Sequence, residues 1–165
     1  MSRPLVWQLR TLEQAGRWLP PDADEAWEWS SAVADLIFPV RAPAAQSHWI
    51  AWARKLFRMA LLHVVSSRLV GAPDRSILVA MKLVIDAAPL PAGTTEPQPP
   101  ALFRELTNSS FIDGALAMDA RAFAAQRTHA PDTYALVHRA FLREVRSFYG
   151  RLFSADHQLA RGMKP

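Results

Sequence analysis

The 165-residue chain contains no cysteine. Disulfides, thiolate metal sites and thiol nucleophiles are thereby excluded, and an intracellular setting is favoured. No stretch reaches the roughly eighteen consecutive apolar residues that cross a bilayer, because Arg54, Lys55 and Arg58 interrupt the best candidate, SHWIAWARKLFRMALLHVVSSRL. The opening MSRPLVWQLRTLEQAGRWLP places Arg3, Arg10, Glu13 and Arg17 among its apolar residues, so no secretory leader is expected and the expected location is cytoplasmic. The phosphate-binding patterns GxxxxGKS/T and GxGxxG are missing, as are HExxH and the GxSxG nucleophile elbow. The five histidines, His48, His63, His129, His138 and His157, are not spaced as metal ligands on one helix face. No cofactor, no metal and no enzymatic activity are expected of this chain.

What is present is an ordinary globular composition, half hydrophobic and 21% charged, in which apolar residues return at steps of three and four. This pattern predicts a single all-α domain over residues 1–165, an irregular bundle of about six to seven helices. The first helix is expected over Leu5 to Trp18, ended by Pro20 and Pro21, and the second over AWEWSSAVADLIF. Ser47 suits the N-cap of the third and Gly71-Ala72-Pro73 its stop, while Asp74 or Ser76 starts the fourth, SILVAMKLVID. That fourth helix is apolar around most of its circumference and is expected in the interior. Residues 88–100, rich in proline, read equally as an extended surface loop and as an internal linker. A short helix at ALFREL, a turn at residues 107–110 and a helix from Phe111 to Gln126 follow. Pro131 then opens a last long helix, and a loose tail is expected over 154–165. The last helix carries the clearest stripe: Tyr134, Val137, His138, Phe141, Val145, Phe148, Tyr149 and Leu152.

Charge is divided unevenly. Residues 1–46 hold four arginines and six acids, and residues 47–165 hold fifteen Lys or Arg and nine acids, within an overall balance of +4. Such polarity suits an acidic partner or nucleic acid. Two basic groups are candidates for binding a partner or nucleic acid: Arg54, Lys55 and Arg58 on the third helix, and Arg139, Arg143 and Arg146 on the last. Each group also fits a solvated helix face. Asp22, Asp24, Glu25 and Glu28 form a candidate acidic partner face at the start of the second helix, where they also suit the positive end of the helix dipole; an acid and base pair is the alternative. His63 falls in the enclosed half of the third helix and is expected to satisfy its ring with a backbone carbonyl or a hydroxyl; an acid, base or ligand in a small enzyme site at the Trp49 and His63 face, which would need a polar pocket there, is the alternative. Trp49 and Trp52 are expected to pack in the core, with ligand stacking as the alternative.

Three segments taken together carry a resemblance: AVADLIFPV, then HWIAWARKLFRMALLHVV, then LFRELTNSSF followed by APDTYALVHRAFLREVRSFYGRL. Over residues 30 to 153, and most at Trp52, Ala53, Arg54, Leu61, Leu62, His63 and Val64, the chain resembles the all-α domain of type IV secretion coupling proteins. These are hexameric ATPases that bring DNA or effector proteins to a secretion channel, in bacterial conjugation among other settings. The resemblance implies a non-enzymatic domain inserted within the ATPase fold of a parent, in the cytoplasmic portion of an inner-membrane protein, recruiting effector or relaxosome proteins, with DNA as a second partner and no membrane insertion of its own. It also implies that phosphate-binding loops lie outside the domain. The proline-rich loop has no counterpart in that pattern. The alternative, read from the residues, is a nucleic-acid-binding helical protein that uses the two basic helix faces.

Overall fold

A computed structural model describes residues 5–18, 23–39, 44–67, 75–91, 93–94 and 98–162. Among these there is no strand, and seven helices follow one another: α1 (Leu5–Trp18), α2 (Ala23–Ile37), α3 (Ala44–Ser66), α4 (Ile77–Asp86), α5 (Ala101–Leu106), α6 (Ala115–His129) and α7 (Pro131–Gly162). The all-α bundle expected from the periodicity is the fold.

Local chemistry explains most of the boundaries. Asp24 and Glu25 stand in the first turn of α2, where carboxylates complement the helix dipole. At the other end of α2, Nη2 of Arg151 donates to the carbonyls of Leu36 (3.2 Å) and Ile37 (3.3 Å), so α7 caps α2. Ser76 caps α4 from an extended backbone: its Oγ accepts from the Leu78 N–H at 3.0 Å and donates to Glu13 Oε1 at 3.0 Å, which ties the cap to α1. Pro131 occupies the first position of α7, as expected. Pro20, Pro21, Gly71, Ala72, Pro73 and Asp74 lie outside the described residues.

Several boundaries differ from the sequence reading: α2 begins at Ala23, ahead of Ala26, so that Asp24 lies within its first turn and is not its cap, and α6 runs past Gln126 to His129. Helix α3 begins at Ala44, one turn before Ser47, because Ala44, Ala45 and Gln46 are good helix formers and carry the helix past the serine. Helix α6 begins at Ala115 rather than Phe111, because Ile112 (φ 53°), Asp113 (φ 50°) and Gly114 (φ 79°) all take the left-handed conformation, which a right-handed helix cannot include. Helix α7 continues past Phe153 to Gly162.

The core is organised around α3. Leu56 and Phe57 are buried, and from Met59 to Val65 every side chain is, so this part of the helix is enclosed on all sides. Helices α2, α4, α6 and α7 each pack along it, and α5 closes one end. Phe57 meets Phe38 at 5.8 Å and Phe141 at 5.7 Å between ring centroids, and Phe38 meets Phe141 at 6.3 Å, joining the end of α2, the middle of α3 and the middle of α7 in one aromatic cluster. Each such ring removed from water stabilises the fold by roughly 1.5–3 kcal/mol. The α7 stripe faces this core, with Tyr134, Val137, Phe141, Val145, Phe148 and Leu152 buried. A single apolar cluster includes residues from both sides of the 88–100 segment, among them Met81 and Val84 before it and Leu102 and Phe103 after it. Helix α4 differs from expectation. It buries Ile77, Ala80, Met81 and Val84 but leaves Leu78 and Ile85 exposed, because α3 and its neighbours cover only one of its faces.

Helix α1 packs on α2 and α7, and its approach to α2 is close at one point. The Trp29 indole donates to the Leu12 carbonyl at 2.7 Å, and the same ring lies against Gly16, where an added Cβ would come within 2.5 Å of ring carbon Cζ2. Glycine normally weakens a helix by about 0.5–1 kcal/mol relative to alanine, but overpacking typically costs about 1–3 kcal/mol. Gly16→Ala is therefore expected to lower the urea midpoint, by about 1 kcal/mol in stability, with an unchanged denaturant slope. A stabilised variant would show that α1 is not seated on Trp29 in this way.

Candidate recognition surface

The first half of α3 presents three cations, and the fold treats each differently. Arg54 forms an ion pair with Asp35 of α2. Lys55 pairs with Asp119 of α6 at 2.7 Å. Arg58 has an aromatic partner instead: its guanidinium lies over the ring of Trp27 of α2, 3.8 Å from the centroid. Nε and Nη2 of Arg58 are sealed from solvent and have no hydrogen-bond acceptor. Burial, and secondarily the charge of Arg54, hold the Arg58 pKa below the ordinary arginine value, against the smaller opposing effect of Asp35.

These residues border a groove of about 160 Å³ whose floor is apolar, with Met59 and Leu62 from α3 and Leu116 from α6. Ile112 and Ala115 form one lip, Trp27 another, and the Lys55 and Asp119 pair the rim. The lip is conformationally unusual, since a β-branched residue at positive φ is a strained choice of backbone. Trp27 remains 49% exposed although it lies on the guanidinium.

The second basic group lies elsewhere. Arg139, Arg143 and Arg146 are all exposed on α7, and Nη2 of Arg143 meets Glu144 Oε1 at 3.2 Å. Arg139 and Arg143 border a different groove, of about 190 Å³, with Trp49, Leu136 and Ala140. The two basic groups thus line separate grooves. On α2, Asp24, Glu25 and Glu28 are exposed as the acidic face requires; Asp22 lies outside the described residues.

The tryptophans of α3 follow the packing reading. Trp52 sits edge-on to Phe123 at 5.5 Å, and Trp49, half-buried, packs against the core with the His48 ring 5.0 Å away. Trp27 was the residue that periodicity passed over. Its signal was negative: it falls outside the α2 stripe of Ala26, Trp29, Val33 and Ile37, and a large apolar residue off the buried stripe of a helix needs another reason to be there.

The buried histidines require one correction. His63 was expected to bond a carbonyl or hydroxyl, but its Nε2 meets Glu105 Oε2 of α5 at 2.9 Å. Helix α5 had to be folded against α3 to bring that carboxylate there. His138 has the backbone partner instead, the Val84 carbonyl 3.0 Å from Nε2. Beside it, Tyr134 donates to the Ala87 carbonyl at 2.6 Å and Arg127 Nε to the Ala88 carbonyl at 2.6 Å, so α6 and α7 together bind the chain leaving α4. No group of three or more metal-ligating side chains occurs among the described residues, and none of the described helices is long and apolar enough to cross a membrane. Compared with protein-family models, with curated proteins and with solved structures, the chain has no match in any of the three.

Burial is the main cause that lowers the pKa of both His63 and His138; the Glu105 carboxylate opposes it at the first, and hydrogen bonds to the Val84 and Ile85 backbone oppose it at the second. Both rings then stay neutral in the folded chain at pH values where the unfolded chain, with its ordinary histidine pKa near 6.5, takes up protons. Their contribution is complete above about pH 6.5 and declines as pH falls toward the folded-state values. The urea midpoint is expected to drop between pH 7.5 and pH 5.5, and His138→Gln, which keeps a donor for the Val84 carbonyl, is expected to flatten that slope. An unchanged slope in the variant would place the pH dependence elsewhere.

Proposed function

We propose that this chain is a non-enzymatic recognition domain for a protein partner, and that it recruits effector or relaxosome proteins to a type IV secretion coupling ATPase, as the resemblance of its helix order implies. The observation that supports the recognition reading best is Trp27: a tryptophan half-exposed on a helix surface, stacked on a guanidinium, beside an apolar groove. Tryptophan and arginine are the residues most enriched among the few that carry protein interfaces, because they combine a large apolar area with a polar or charged tip. Asp24, exposed one turn before Trp27 on the same helix, adds a polar group to this face.

A second reading has its own observation, the exposed Arg139, Arg143 and Arg146 along α7, which suit a row of phosphates. Photo-crosslinking from position 28 and from position 142, in the source cell, separates the two. The recognition reading expects a protein adduct at position 28 that disappears with Trp27→Ala and persists when Arg139, Arg143 and Arg146 are all changed to glutamate. Adducts to nucleic acid at position 142, with none to protein at position 28, would overturn it in favour of the α7 surface.

A further inference from the structure

Arg58 has no structural employment that accounts for it. Of the three cations on the exposed half of α3, two are neutralised by carboxylates from neighbouring helices, Asp35 and Asp119, and each carboxylate already has its own partner. The third charge is left over. Trp27 covers the face of its guanidinium, but Nε and Nη2 together form the edge of the fork that receives a carboxylate through two parallel hydrogen bonds, and that edge has no acceptor. Two sealed N–H groups without an acceptor oppose folding. An arginine in that condition, at the margin of an open groove, is best explained by a ligand that completes it.

The surroundings narrow the ligand. At about 160 Å³ the groove is well below the roughly 300–1,000 Å³ of small-molecule pockets and has room for one side chain. Its floor of Met59, Leu62 and Leu116 suits methylene groups. The first residues of α6, Ala115 and Leu116, border it, and the N-cap Gly114 has no side-chain oxygen, so the positive end of α6 adds to the potential of Arg58 without being offset by its own cap. We infer that this groove receives an acidic side chain of a protein partner, whose carboxylate accepts from Nε–H and Nη2–H of Arg58 once the exposed Trp27 ring turns aside. The inference rests on the recognition reading and names the group recognised. Trp27 is both cover and contact: in the free protein it stacks on the cation, and in the complex it packs beside the incoming methylenes. The paired Lys55 and Asp119 border the entry and leave the net charge of the groove to Arg58.

The test uses the full chain and three short peptides: one capped at both ends with a glutamate between two leucines, its glutamine twin, and the glutamine peptide with a free C-terminal carboxylate. Nuclear magnetic resonance follows the Arg58 Nε–H and the Trp27 indole N–H. The glutamate peptide is expected to move both signals saturably, and the glutamine twin to bind at least about tenfold more weakly, the loss expected for a charge-assisted bidentate contact. Arg58→Lys, which keeps the charge and loses the fork, is expected to weaken the glutamate peptide by about tenfold with unchanged helical circular dichroism. Equal binding of the glutamate peptide and its twin, binding of the free C-terminal carboxylate alone, or no movement of the Arg58 signal at millimolar glutamate peptide would each overturn the assignment. The recognition reading is scored separately: a crosslinked partner lost in Trp27→Ala but retained in Arg58→Gln sinks the carboxylate alone, and one retained in both variants sinks the two together.

Discussion

The rest of the structure depends on the enclosure of the second half of α3. From Met59 to Val65 every side chain of the helix is buried, and all but His63 are apolar; no helix of that kind is stable unless neighbours cover every face. Helices α2, α4, α6 and α7 therefore each supply an apolar stripe, and the Phe38, Phe57 and Phe141 cluster marks where three of these segments converge. Polar groups caught at these junctions are resolved locally: His63 by Glu105, His138 by the Val84 carbonyl, and the last carbonyls of α2 by Arg151.

The same enclosure decides what happens to the charged half of α3. Helices α2 and α6 must approach to cover Leu56, Met59 and Leu62, and in doing so they bring Asp35 to Arg54, Asp119 to Lys55, and the Trp27 ring to Arg58. Partly exposed ion pairs such as these contribute little to stability, on the order of 0–1 kcal/mol each, and chiefly fix which helix lies beside which. Stacking on an aromatic ring contributes roughly 0.5–2 kcal/mol, and the two sealed nitrogens oppose it, since each leaves a hydrogen bond to water without replacing it, a loss of about 1–3 kcal/mol. Arg58 is thus the one place on this face where packing and charge do not agree, and disagreement of that kind in a natural fold usually marks a functional site.

Much of the architecture was legible in the sequence because it is written in local terms. The heptad-like stripe of α7, the Ser76 cap and Pro131 each act within a turn of the helix they define, and the periodicity of α1 and α3 needs no partner to be seen. What was not legible depends on distant residues. The start of α6 was misplaced because Ile112 and Asp113 adopt a left-handed backbone that neither residue prefers on its own. The exposure of Leu78 and Ile85 follows from how many neighbours α4 has, a count absent from its own composition. The candidate site was half legible: Arg54, Lys55 and Arg58 stand out as a sector, but their division into two paired cations and one spare is set by Asp35, Asp119 and Trp27 on other helices.

The central claim is that Arg58 is retained for its charge at some expense to the fold. It is tested most directly by the urea-unfolding free energy of Arg58→Met, which keeps an unbranched apolar stem in the groove and removes the partly desolvated cation together with its stacking on Trp27. The variant is predicted to be more stable than the parent chain with the same denaturant slope; a variant clearly less stable would mean that the guanidinium holds the structure together and would contradict the claim.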